Sequence, residues 1–246
     1  MKTAQILSVL LFTLALPQPA GSEPPTRFAA DRPMDCLHIR LELNVDVPAK
    51  RVEGLATLRL TALRSVTSIT FDAHDLDAQT VTLTGDDNTP APADFDNDGD
   101  QIEVFLDQPL AAGDRVSIAV QYTVDDPADG LHFFGPSKNE PDVPYVVWSQ
   151  GEATTNSYWF PCFDHPNERQ TTELIVTTDR KYKVSSNGRL VSNTRDADTG
   201  TVTYHWLQDK PHPAYLVSMI VGEFHVERDT WRGKPITFWA HPRYKD

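Results

Sequence analysis

The residues able to do chemistry concentrate in one stretch, Trp148 to Pro166, which reads WSQGEATTNSYWFPCFDHP. It sets Gln150, Glu152, Asp164 and His165 among Trp148, Tyr158, Trp159, Phe160 and Phe163, with no regular period. Rings of that size must pack against something, and polar groups buried with them must find hydrogen-bond partners. A loop rich in both classes is usually functional or interfacial. Taken alone, the pattern lets Glu152 be a helix-start carboxylate as readily as a binding group, and lets Asp164 with Asn167 form a turn.

Elsewhere the chemistry is sparse. The histidines stand at 38, 74, 132, 165, 205, 212, 225 and 241, and no two are four apart, so the helical two-His platform for zinc cannot be assembled. His205, His212 and His225 are the set that convergence on another metal would need, and strand or loop histidines are ordinarily plain polar groups. No G-x-S-x-G nucleophile motif occurs, and Cys162 reads as packing. Asp94-Phe95-Asp96-Asn97-Asp98-Gly99-Asp100 begins like a calcium loop, but its twelfth position is Phe105 where a bidentate Glu is needed, so a solvated hairpin turn is expected. No catalytic residue and no metal ligand is assigned in this chain.

The elements that must position these residues read as strands. Apolar residues occupy every odd position from Leu37 to Val47, and Val116 to Val124 and Val202 to Trp206 repeat the alternation. Such one-sided strands belong to antiparallel sheets. Further candidates are Val52–Ala62 with Gly54 as a bulge, Ser68–Phe71, Thr80–Thr84, Gln101–Leu106, Tyr145–Ser149, Glu173–Thr177, Tyr182–Ser185, Leu190–Ser192, Tyr215–Val221 and Ile236–Trp239. Asn187-Gly188 and Asp98-Gly99 suit hairpins with positive φ at both centres. Prolines at 19 outnumber glycines at 12, which fits short strands better than long helices. The expectation is an all-β fold of two or three packed sheets.

The first 22 residues place one Lys ahead of an apolar run from Ile6 to Leu16 and end in small residues. That order is a secretory leader, cut after Ala20 or Ser22, and its run is too short for the roughly 20 residues that span a bilayer. The mature chain is therefore expected in a periplasm or outside the cell, with residues 23–32 as a loose lead-in and 33–246 as one domain. Such a compartment permits Cys36 and Cys162 to pair, and two buried free thiols fit as well. With 22 Lys and Arg against 35 Asp and Glu, the net charge of −13 repels nucleic acid and anionic membranes, so neither is expected as a partner.

The Q-x-E-A of Gln150 to Ala153, the F-P-C-F-D of Phe160 to Asp164 and the proline at 166 make this chain resemble the N-terminal domain of the aminopeptidase N family of zinc peptidases. The likeness extends in order through D-x-L-H-x-x-L-x-L at Asp35–Leu43, T-T-E-L-I-V-T at Thr171–Thr177, S-N-G at Ser186–Gly188 and Y-L-V-S-M-I-V-G-E-F at Tyr215–Phe224. The resemblance implies a saddle-shaped antiparallel multi-sheet sandwich. It implies that Glu152 receives the free α-amino group of a peptide and that Gln150 lines the pocket for the first side chain. It also implies a zinc-binding catalytic domain docked near Trp148, Trp159 and Phe163. The family's H-E-x-x-H motif and its Gly-x-Met-Glu-Asn loop do not occur here. The expectation is a substrate-anchoring domain without hydrolytic power of its own, the zinc belonging to a catalytic part absent from this sequence. A stand-alone β-sandwich binding or scaffold module that lost the peptidase role is the other reading.

Overall fold

A computed structural model describes residues 31–85 and 88–244, so the expected leader and the lead-in up to residue 30 lie outside the described residues. The first half of the chain forms β1 (Met34–Asp46), β2 (Arg51–Ala62), β3 (Val66–Asp72), β4 (Asp77–Thr84), β5 (Pro90–Pro92), β6 (Phe95–Asn97), β7 (Gln101–Leu110) and β8 (Arg115–Asp125). The second half forms β9 (Leu131–Phe134), β10 (Val146–Ser149), β11 (Gln170–Asp179), β12 (Lys183–Ser186) and β13 (Arg189–Asp196). It continues with β14 (Thr201–His212), β15 (Met219–Gly222), β16 (His225–Trp231) and β17 (Lys234–Ala240). Among the described residues helix is confined to 3-10 turns such as Asn156–Tyr158 and Ala214–Leu216.

The strands assemble into an eight-stranded sheet ordered β13-β14-β11-β1-β2-β8-β4-β5, a four-stranded sheet β12-β15-β10-β9, a three-stranded sheet β3-β7-β6 and the hairpin β16-β17. Pairing is antiparallel except between β1 and β11, which run parallel in the middle of the large sheet. One buried apolar cluster draws on the three larger sheets, and β16-β17 contributes nothing to it. That hairpin leaves Trp231 56% and Phe238 59% exposed.

Period two holds along β1 from Ile39 to Val45, whose odd residues are buried, but Leu37 is exposed. A bulge between Cys36 and His38 shifts the register, so Met34 and Cys36 face inward and Leu37 faces out. Gly54 is not a bulge. It keeps regular pairing with Leu43 and Tyr122, and its hydrogen makes room for the Tyr122 ring. Asn187-Gly188 is not a hairpin either, since it turns the chain from β12 in the four-stranded sheet to β13 in the eight-stranded one. Asp98-Gly99 does close a hairpin, β6 to β7, with Gly99 at φ 94°. The Asp98 carboxylate accepts the Asp100 and Gln101 amides there, which hold its pKa below the usual carboxylate value. The expected strand from Tyr215 starts only at Met219, after a 3-10 turn. Cys36 and Cys162 are buried and unpaired, so the disulfide is absent. At the chain's entry, Arg32 is held by the buried Glu168, which also accepts the Cys36 amide at 2.8 Å.

Candidate functional site

The segment after β10 is fixed from several sides. The Gln150 amide donates to Gly130 O at 2.8 Å, continuing the sheet one residue past Ser149. Gly151 is buried, and a Cβ there would lie 2.5 Å from both Asn156 Nδ2 and Tyr215 O. The chain then tightens, with the Thr155 amide donating to Gly151 O at 3.0 Å and the Thr155 hydroxyl to Gln150 O at 2.6 Å. Gly130, at φ 73°, allows this approach, since its Cβ would strike Thr155 O at 1.9 Å. Further along, the Tyr122 hydroxyl donates to Trp159 O at 2.9 Å, and Trp159 Nε1 donates to Asn156 Oδ1 at 2.8 Å. Asp72 and Cys162 exchange backbone hydrogen bonds at 2.8 and 3.1 Å.

On this framework Gln150 and Glu152 stand exposed. Neither side chain makes a hydrogen bond or ion pair with the described residues. The Glu152–Ala153 peptide is cis. No helix starts at Glu152. The nearest turn begins at Asn156 and has no acid in its first turn, which removes the helix-start reading. Asp164 is buried, and its carboxylate accepts the Ser157 amide at 2.9 Å, so it ties the two ends of the loop and does not form a turn with Asn167. Burial raises its pKa.

The three expected docking aromatics separate. Trp148 is 38% exposed and faces outward from β10, where its ring lies near His132 and Phe134 with centroids 4.8 and 6.4 Å away. Trp159 is fully buried and belongs to the core, which corrects its expected place on a docking surface. Phe163 is half-buried, edge-on to Phe71 at 6.3 Å. Asn156, Gly151, Gly130 and Tyr122 were not singled out by sequence reasoning, although they set the loop's shape. Only the glycine beside Gln150 offered a local signal.

Among the described residues no three His, Cys, Asp or Glu side chains are grouped to hold a metal. His205 meets Glu173 at 2.5 Å, His212 meets the Lys210 carbonyl and Thr172, and His225 meets Glu227, so the three histidines do not converge. The donor set therefore does not fit zinc. Glu173 also takes Arg40 at 3.0 Å; burial pushes its pKa up, but Arg40 and His205 bring it below the ordinary value. A hollow of about 580 Å³ beside Asn44, Glu53, Gln121 and Thr177 lies on the large sheet. A smaller notch of about 340 Å³, lined by Thr154, Ser157, Tyr158 and Asp164, adjoins the loop.

The profile of the Peptidase M1 N-terminal domain matches residues 35–216, a span that includes the whole Gln150–Asp164 loop. The chain belongs to the M1 peptidase family. This M1 domain is 24% identical over 206 residues to leukotriene A-4 hydrolase of Xenopus laevis, covering 80% of this chain and 33% of that protein. It is 28% identical over 236 residues to aminopeptidase B of Mus musculus, covering 86% and 34%. An M1 zinc metallopeptidase of Deinococcus radiodurans shares the fold, with a TM-score of 0.69 at 22% identity over 82% of this chain and 45% of that one. The M1 domain thus spans between a third and a half of the length of these relatives.

Proposed function

We propose that this M1 domain anchors the free amino terminus of a peptide for a secreted zinc aminopeptidase, with Glu152 receiving the ammonium and Gln150 bordering the first side chain. The observation that carries the reading is an exposed carboxylate without a partner on a segment whose backbone is tied down on both sides. An α-amino group with pKa near 8 is mostly charged at neutral pH, so a fixed carboxylate selects chain ends over internal peptide bonds. In open water such a pair is worth only about 0.2–1 kcal/mol. Covered by a second domain it becomes a desolvated pair, whose loss of one partner costs about 3–5 kcal/mol. The reading therefore needs a cover. Trp148, with Phe134 and Ile220 exposed on the same sheet, supplies an apolar face for a zinc-binding catalytic domain. Zinc, where bound, supplies a Lewis acid and an activated water from that other part of the enzyme. The leader-like first 22 residues support export to a periplasm or the outside.

The test joins this chain to an M1 zinc domain and compares Glu152→Gln with the parent on peptides having free and acetylated amino termini. KM for the free-amino peptide should rise at least about tenfold, the equivalent of 1.4 kcal/mol, with a smaller change in the melting temperature. Equal kinetics in parent and variant would reject the role. The chain by itself should release no amino acid from an aminoacyl anilide, with or without added zinc.

A further inference from the structure

We infer that Asn156 is the positioning residue that fixes the Gln150–Glu152 segment, an assignment that deepens the anchoring reading and rests on it for its functional consequence. The side chain is fully buried. Its Nδ2 donates to Ala214 O at 2.6 Å and to Val217 O at 3.0 Å, while its Oδ1 accepts Trp159 Nε1 at 2.8 Å. Both amide hydrogens and the carbonyl oxygen are thereby engaged. The same Nδ2 lies 2.5 Å from where a Gly151 Cβ would sit, so the amide is the floor on which the backbone leading into Glu152 rests.

What Asn156 bonds to is itself immobilised. Asn187 holds the far side of the Ala214–Leu216 turn, donating to Leu216 O at 3.0 Å and accepting the Ser218 amide at 2.6 Å. The Met219 amide donates to Ser149 Oγ at 2.8 Å, pinning β10 to the strand that follows the turn. Asn156 is the one side chain among the described residues that hydrogen-bonds this turn to the segment after Gly151. Its nearest substitutes lose these contacts. Aspartate has the same shape but faces two carbonyls with an acceptor, leucine leaves both carbonyls and the indole N–H unmet, and glutamine is one methylene too long for the contact with Gly151.

The experiment uses the full 246-residue chain, its Asn156→Asp and Asn156→Ala variants, and Ile69→Val, a buried control in the three-stranded sheet. Exchange of the two hydrogen-bonded amides of the segment, Gln150 N–H on Gly130 O and Thr155 N–H on Gly151 O, should quicken at least about tenfold in both Asn156 variants, while the control leaves it within about twofold of the parent. In titrations of the chain joined to an M1 zinc domain, which supplies the cover, with a free-amino tripeptide and its acetylated form, the parent's preference for the free amine should fall in the Asn156 variants and persist in Ile69→Val. Unchanged exchange in Asn156→Ala overturns the assignment, as does an equal loss of preference in the control. If the parent and Glu152→Gln show no preference for the free amine, the anchoring reading fails, and the exchange measurement still decides whether Asn156 sets the segment.

Discussion

Replacing Gly54 by alanine tests how the loop is held from beneath. Gly54 lies opposite Tyr122 on β8, and a Cβ at Gly54 would meet the ring at 2.4 Å from Cζ, 2.6 Å from Cε1 and 2.7 Å from the hydroxyl oxygen. Carbon atoms in contact prefer about 3.5–4.0 Å, so the ring must retreat by more than an ångström. It has nowhere to go without cost. Tyr122 is fully buried and its hydroxyl donates to Trp159 O at 2.9 Å. Forced overpacking costs about 1–3 kcal/mol, and stranding the Trp159 carbonyl adds about 1–3 kcal/mol. The stiffer unfolded chain returns about 0.4–1 kcal/mol, leaving a net loss centred near 3 kcal/mol. At about 2–4 °C per kcal/mol for a domain of this size, the melting temperature should fall by about 6–12 °C. Urea unfolding followed by tryptophan fluorescence, with calorimetry alongside, reads both quantities. Tyr122→Phe alone should cost about 1–2 kcal/mol, and its combination with Gly54→Ala should cost less than the sum, because the hydrogen bond is lost only once. A Gly54→Ala chain within about 0.5 kcal/mol of the parent refutes the reasoning.

Stability should also fall with acid. Burial lowers the pKa of His38, helped by the charge of Arg59, and burial lowers that of His212. The unfolded imidazoles then protonate first, so the contribution is complete above about pH 6.5 and drains as pH falls, at no more than about 1.4 kcal/mol per pH unit for each. Glu173, held below its ordinary value, extends the loss through the carboxylate range, while Asp164, raised by burial, works in the opposite sense there. Urea midpoints at pH 7.5, 6.5 and 5.5 check this, and a flat series contradicts it. Burial also pushes up the thiol pKa values of Cys36 and Cys162, so an aromatic disulfide reagent should label neither in the native chain and both in urea. Labelling of the native chain, or two thiols missing after denaturation, counts against buried free cysteines.

The sequence displays some of this architecture and hides the rest for physical reasons. Alternation exposes β1 and β8 because each has one dry and one wet face along most of its length. It says nothing about neighbours, so the parallel pairing of β1 with β11 is invisible in either strand. β9 is too short for a period to develop, and β16, with almost no buried residue, carries no apolar rhythm, whereas β10 falls within the expected strand Tyr145–Ser149. Gly54 suggested a bulge because a strand glycine signals either a bulge or a close approach, and only the Tyr122 ring across the strand pair decides. At the candidate site, a short motif picks out Gln150 and Glu152, which the structure leaves exposed. Their support is not legible in sequence, since Asn156 reaches Ala214 across 58 residues and Tyr122 reaches Trp159 across 37. No local window contains both ends of such a bond.

Under the proposed anchoring role, the separation of Trp148 from Trp159 divides two physical needs. An exposed carboxylate binds an ammonium weakly unless it is held in place before the ligand arrives and shielded from water afterwards. Trp159 serves the first need: buried, with its indole on Asn156 and its carbonyl on Tyr122, it anchors the middle of the loop to the core. Trp148 suits the second, because it lies two residues before Gln150 and presents its ring to solvent. Polar substitution at the two positions should therefore separate the two effects. Trp148→Ser should leave the unfolding midpoint nearly unchanged and weaken attachment to a zinc domain, whereas Trp159→Ser should cost about 3–5 kcal/mol in the chain by itself. Comparable losses of stability at both positions would mean that the exposed ring is structural and that the cover sits elsewhere.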